Sequence, residues 1–203
     1  MTVSEDSVIA AFGRRAEPGR ALAVEAERIA RACHGMALRF HRGGKMLVFG
    51  NGAQATDAAH VAVEFVHPVI VGKRALPALS LAGDSNALTG VCRTAGFEEI
   101  YAAGIRLFSA AGDIAVGLSA EGCCENVRRG LAAAHEMGLL TVALVGGDGG
   151  YIADSPVVDH ALVVRAADAR VVKEVNVTIY HILWELVHVF LEQPLVLEPE
   201  SAR

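Results

Sequence analysis

Residues 45–66 read "KMLVFGNGAQATDAAHVAVEFV". The apolar run "MLVFG" is closed by a Gly-Asn-Gly turn and followed by a small-residue and apolar stretch, the pattern of a buried strand passing through a tight turn into a helix. The same pattern returns in "LPALSLAGD", "GDIAVGLSAEG", "LLTVALVGGDGG" and "VDHALVVRAAD", where each short apolar run ends on Gly, Asp or Ser. A strand that is apolar at consecutive positions has no face to offer water. Five such strands alternating with helices therefore predict an α/β fold, with one parallel sheet covered on both faces. The helices are expected at 53–67, 85–93, 97–111, 124–137 and 169–192.

Upstream, Leu22, Ala26, Ile29, Cys33, Met36 and Phe40 recur at steps of four and three, which predicts one long amphipathic helix over 18–41 ending at the paired glycines of "RGGK". Downstream, "VVKEVNVTIYHILWELVHVFLE" is apolar on nearly all sides, as a helix buried in the fold or against another subunit would be. No Pro/Gly/Ser-rich linker interrupts the 203 residues, so the expectation is a single domain over 1–203 with its core at about 20–192. A formal charge of −5 without a Lys/Arg cluster argues against a nucleic-acid partner. No apolar run reaches the roughly 18 residues of a membrane span, and the acidic start "MTVSEDSVIA" is unlike a targeting peptide, so no membrane partner and a cytoplasmic location are expected. Cys33, Cys92, Cys123 and Cys124 lack the spacing of a disulfide framework and are read as reduced.

Ligands of open parallel sheets collect outside the carboxyl ends of the strands. That rule selects "GNGAQATD" at 50–57, "GDSN" at 83–86, "SAEGCCEN" at 119–126 and "GGDGG" at 146–150. The last is read as a simple tight connection. Cys123 and Cys124 are read as small, partly buried residues, with a thiolate at the following helix start as the less favoured alternative.

His60 and Glu64 stand four apart on the helix after the first strand, so they share a face. The spacing suits a general base with its partner, two ligands of one divalent metal, or an ordinary pair on a solvated face. The helix is otherwise apolar, and two polar groups there need partners or a ligand. His181 is the second unusual polar residue, set among Ile179, Tyr180, Ile182, Leu183 and Trp184. It is either a core histidine bonded to a carbonyl or, with Lys173, Val177 and His188 on the same stripe, part of a site or interface.

The stretch "FGNGAQATDAAHVAVEFV" resembles the "GNGGSxxDAxHxAxEL" signature of the phosphoheptose (sedoheptulose 7-phosphate) isomerases of the sugar isomerase (SIS) superfamily. The resemblance continues collinearly through "GDSNALTGVCRTAGFEEIYAAGI", "GDIAVGLSAEGCCENVRRGLAAAHEMGLLTVALVGGDGG" and "RVVKEVNVTIYHIL", over roughly residues 20–192. It implies a three-layer αβα sandwich around a five-stranded parallel sheet, a homotetramer (or dimer) with sites at subunit interfaces, and ketose–aldose isomerisation of a sugar phosphate through an enediol. Glu64 matches the family's base and His181 its acid/base histidine. His60, Glu64 and His181 match zinc ligands. The matched substrate positions are Asn51, Gly52, Gln54, Asp84, Ser119, Glu121, Gly122 and Lys173.

Several positions depart from the pattern. Gln54 replaces a serine, and Arg93-Thr94 replaces Asn-Asp. The phosphate loop "STSGNSxN" becomes Ser119, Ala120, Glu121, Gly122, Cys123, Cys124, Glu125 and Asn126. Lys173 falls at the fourth zinc position, where an ammonium cannot ligate. That leaves a three-coordinate metal or none, and frees Lys173 to pair with Glu121 or a substrate anion. Two functions follow as expectations: a sugar-phosphate isomerase using Glu64 and His181, with a variant that keeps the chemistry on a different sugar, or a non-catalytic SIS protein binding another ligand or a protein partner, as initiator-associating proteins do.

Overall fold

The structure is a computed structural model and describes residues 4–197. Five strands, β1 (Met46–Gly50), β2 (Ala78–Ser80), β3 (Ile114–Ser119), β4 (Leu140–Gly146) and β5 (His160–Val164), form one all-parallel sheet in the order β2-β1-β3-β4-β5. Every residue of β1, β3 and β4 is buried, as their unbroken apolar runs require. Side chains alternate between two cores. Met46, Val48, Ile114, Val116, Val142 and Leu144 point to one, and Leu47, Phe49, Ala115, Ala143 and Val145 to the other.

The first core is covered by α2 (Ala26–His41), α3 (Ala53–Val66) and α8 (Ala169–Leu191) through Phe40, Phe65, Ile179 and Leu183. The second is covered by α5 (Ile100–Phe108) and α6 (Glu125–Glu136) through Tyr101, Ile105, Val127 and Leu131. Two helical layers thus enclose the sheet, the expected αβα sandwich. α4 (Ser85–Ala95) follows the short edge strand β2, and a single turn, α7 (Gly150–Ala153), follows β4. A last short turn, α9, runs Pro194–Leu197.

The single helix expected over 18–41 is instead two. α1 spans Glu5–Ala23, and the chain breaks at Val24 and Glu25 before α2. Pro18 does not begin the helix but lies inside α1; the carbonyl it leaves without a partner is at the exposed Arg14, where water can serve it. Ser4 starts α1 by accepting from the Ser7 N–H, and an Arg15–Glu174 ion pair ties α1 to α8. The helix expected at 97–111 divides into a 3-10 turn, Phe97–Glu99, and α5.

Strand order reverses between β1 and β3, so the crevice of this topology lies outside their carboxyl ends, where Asn51 after β1 meets Asn126 after β3.

Candidate active site

α3 begins directly after Gly52, whose φ of +56° favours glycine, and turns Asp57, Ala58, Val61, Ala62 and Phe65 inward. His60 and Glu64 are left beside this buried stripe, facing the seam with α8. Across the seam α8 buries Ile179, Tyr180 and Leu183, and presents His181 exposed at the margin. His60 Nε2 lies 3.1 Å from Glu64 Oε1, and His60 Nδ1 lies 2.7 Å from the Tyr180 hydroxyl. The His60 and His181 rings meet edge to face at 5.4 Å. Ligating atoms of His60, Glu64 and His181 all lie within 4.8 Å of one another.

Two residues four apart on one helix and a third alone on another are thereby brought into one cluster. The core-histidine reading does not hold for His181. It holds for His188, which is 2% exposed and faces the carbonyls of Trp184 at 2.8 Å and Arg74 at 3.0 Å. His188 therefore belongs to the packing of α8 against the 67–77 segment, not to a polar stripe with His181.

Glu64 and His181 line a cavity of about 520 Å³ walled by Val69, Ile70, Trp184 and Val189, with Lys73 and Glu185 as its other charged groups. The indole Nε1 of Trp184 is buried without a hydrogen-bond partner among the described residues. Burial first, then the carboxylates of Asp57 and Glu64, push the Tyr180 phenol upward, so it stays a neutral hydroxyl over the whole working range. An imidazole, a carboxylate and a second imidazole form a donor set suited to a borderline divalent cation such as zinc, with an open fourth position.

Lys173 does not reach toward Glu121. Its ammonium lies 2.5 Å from Asp57 Oδ1 and 3.2 Å from the Ala53 carbonyl. Asp57 is 4% exposed, and burial of a carboxylate demands such a partner. Sequence reading missed this pair; the signal was available, since Asp57 is the one acid on the inward face of α3.

At the crevice, Asn51 and Asn126 exchange two amide hydrogen bonds of 2.8 Å, and the Tyr101 hydroxyl donates to Asn51 Oδ1 at 3.1 Å. Asn51, expected to meet substrate, thus ties the turn after β1 to the first turn of α6. Asp84 likewise serves as the N-cap of α4, accepting from the N–H groups of Asn86 and Ala87. Gln54 is half-buried in the first turn of α3, its N–H donating to the Asn51 carbonyl. Arg93 lies exposed in the last turn of α4.

The loop before α6 keeps Ser119 buried with its hydroxyl free of partners among the described residues. Gly122, at φ +69°, lies so close to the next loop that a Cβ there would sit 1.9 Å from the Gly149 carbonyl oxygen. The Ile152 N–H donates to the Gly122 carbonyl at 3.1 Å and the Tyr151 hydroxyl to the Cys123 carbonyl at 2.5 Å. "GGDGG" is therefore more than a connection, because its small residues form the wall on which the 119–124 loop rests. Glu121 stays exposed. Glu125 is bonded by Arg128 and Arg129, which hold its carboxyl down at about 2, and no side chain among the described residues caps the start of α6. Cys124 is half-buried against the second core while Cys123 is exposed, its thiol 3.4 Å from the Glu121 carbonyl oxygen.

The SIS domain family profile matches residues 17–146. The chain is similar to a phosphoheptose isomerase of Solidesulfovibrio magneticus, at 37% identity over 195 residues covering 95% of this chain and 94% of the relative. Among solved structures it is similar to the phosphoheptose isomerases of Neisseria gonorrhoeae (TM-score 0.81, 29% identity, 90% of this chain and 97% of that one) and Francisella tularensis (TM-score 0.84, 26% identity, 93% and 100%). A family profile that matches more than half of the chain, a relative 37% identical over most of both chains and two solved structures alike over most of theirs agree: the chain belongs to the SIS domain family, among the phosphoheptose isomerases.

Proposed function

We propose that the protein interconverts sedoheptulose 7-phosphate and the corresponding aldoheptose 7-phosphate. The observation that carries this reading is the placement of Glu64 and His181 on the wall of one cavity, within reach of each other and of His60. Isomerisation requires a base that removes a proton from the carbon beside the carbonyl and returns it to the neighbouring carbon, with a second group moving a proton between the two oxygens. Glu64, half-buried and oriented by His60, is the base. His181 is the group that relays the proton between the oxygens of the enediol.

His60, Glu64 and His181 would hold zinc. Bound there, it supplies Lewis-acid polarisation of the substrate carbonyl and its neighbouring hydroxyl. The phosphate is assigned to the 119–124 loop and the uncapped start of α6, where backbone N–H groups and the helix dipole favour an anion. Glu125 does not oppose this, since Arg128 and Arg129 neutralise it. Ser119 offers its unpartnered hydroxyl from the base of the loop.

We also propose a homotetramer with sites completed at subunit contacts. Val63, Val66, Val69, Ile70 and Val71 are exposed, with Val69 and Ile70 on the cavity wall, a concentration of apolar side chains over 63–71 of a kind that proteins usually cover. Four free cysteines and the absence of a helix long and apolar enough to cross a membrane among the described residues suit a cytoplasmic enzyme.

The test is turnover of sedoheptulose 7-phosphate by the purified protein with and without added zinc. Glu64→Gln is expected to lower kcat at least about 100-fold, the usual scale of a general base. A mutant as active as the parent, or a parent inactive in both conditions, would overturn the reading.

A further inference from the structure

We propose that the protein carries a second binding site, for a small phosphate monoester bearing hydroxyl groups, in the cavity between α2 and the start of β5. This cavity holds about 400 Å³, a size suited to a small molecule. Its polar lining is Arg28 and Arg31 of α2, with Asp159 and His160 where β5 begins. It shares no residue with the cavity of Glu64 and His181, and it lies at the amino ends of the strands, across the sheet from the crevice.

Arg28 and Arg31 stand three apart on one helix and so share a face. Each guanidinium is a planar fork of N–H donors that matches phosphate oxygens two at a time. Those donors are nearly all uncommitted among the described residues. Arg28 makes one long hydrogen bond, 3.5 Å to the Ala161 carbonyl, and Arg31 meets only Glu27, at 3.6 Å. Glu25, 3.0 Å from Arg28, is the other nearby carboxylate on the helix side. Both pairs are open to solvent, where an ion pair contributes little and yields to a doubly charged ligand.

The facing side of the cavity suits hydroxyls. Fully buried Thr141 holds Asp159 in place: its N–H donates to Asp159 Oδ2 at 2.9 Å, and its hydroxyl accepts from the Asp159 N–H at 2.9 Å. Asp159 Oδ1 has no partner among the described residues. Burial above all keeps the His160 ring below its ordinary 6.5, opposed by Asp159 and reinforced by Arg31 and Arg28, so at neutral pH it offers one donor and one acceptor. A bare phosphate ion gains nothing from Asp159 and is repelled by it. An ester that places its phosphate on the arginines and its hydroxyls on Asp159 and His160 uses both sides.

The experiment is ¹⁵N–¹H NMR of the intact protein titrated with glycerol 3-phosphate, with inorganic phosphate and potassium chloride at matched ionic strength for comparison. Glycerol 3-phosphate is expected to move the Arg28 and Arg31 Nε–H and His160 ring signals saturably, with a Kd of about 1 mM or below. It should bind at least about tenfold more tightly than inorganic phosphate. Arg28→Gln with Arg31→Gln, at exposed positions, should weaken binding at least about tenfold and leave the response of the 119–124 loop unchanged. Shifts that merely track chloride, equal affinity for phosphate and its glycerol ester, or unchanged affinity in the double variant would each overturn the inference. The parent titration decides even if the variant fails to fold. A silent 119–124 loop beside responding Arg28 and Arg31 would count against the phosphate assignment at the active site and support this second site.

Discussion

Glu121 is the residue at which the 119–126 loop departs most in charge from its relatives' pattern, and its position decides how much that matters. It is exposed, so its repulsion of a doubly charged phosphate a few ångströms away acts at a water-like dielectric and amounts to about 1–2 kcal/mol. That weakens binding without abolishing it. Glu121→Ser is therefore expected to lower the KM for a phosphorylated substrate about five- to thirtyfold with little change in kcat, a comparison steady-state kinetics makes directly. Lys173 carries the opposite lesson. In sequence it was a free cation with several conceivable partners; in the fold it is committed to Asp57, whose other oxygen has no partner among the described residues. Lys173→Met leaves a buried carboxylate unmatched and should destabilise the protein by about 1–3 kcal/mol in thermal or denaturant unfolding. The double variant Asp57→Asn with Lys173→Met should recover part of that loss. An unchanged melting temperature in the single variant would show that the pair is not a structural link.

The elements around the crevice depend on close backbone approach. Gly122 meets the Gly149 carbonyl, and Gly146 leaves no room for a Cβ between the Ala120 carbonyl and Val172. Gly122→Ala must both adopt an unfavourable positive φ, costing about 1–2 kcal/mol, and push the two loops apart. It is expected to lower stability by at least about 2 kcal/mol and to raise the KM for phosphorylated substrate more than Glu121→Ser lowers it; an alanine variant with the parent's melting temperature and KM would contradict this. Apolar runs and glycine turns made the five strands and most helices legible in sequence, because a parallel strand buried on both faces leaves a short unbroken apolar run, closed here by Gly, Asp or Ser. The break at Val24 and Glu25 was not legible, since neither glycine nor proline marks it, whereas Pro18, the expected boundary, lies where solvent tolerates it. His60 and Glu64 were visible by spacing and His181 by its apolar setting. Tyr180 was not, because an aromatic residue on an apolar helix reads as core until its hydroxyl is seen to reach His60.

For the molecule as a whole, the charge network linking Glu99 and Glu125 to Arg106, Arg128 and Arg129 joins the 3-10 turn, α5 and α6 behind the proposed phosphate site. The arginine bonds depress the Glu125 carboxyl from its ordinary 4.5 to about 2. A depressed carboxylate stabilises the fold fully above its unfolded value, and that contribution is lost as pH falls from about 4.5 through about 2. The groups are about a third exposed, so the loss should stay within the roughly 1 kcal/mol of a surface pair. Glu125→Gln should flatten the acid limb of the stability curve by that amount, measured by urea unfolding at pH 5 and pH 3. Light scattering tests the proposed assembly: about four times the 21.3 kDa chain mass is expected, and Val69→Asp with Ile70→Asp should reduce it. The central claim is that Glu64 carries a substrate proton between neighbouring carbons, and the most direct measurement is NMR of sedoheptulose 7-phosphate incubated with the protein in D₂O. The account predicts conversion to the aldoheptose phosphate with deuterium appearing at C1 of the remaining ketose and C2 of the product, and both signals falling at least about 100-fold in Glu64→Gln. Neither conversion nor deuterium incorporation by the parent protein, with zinc present or absent, would contradict it.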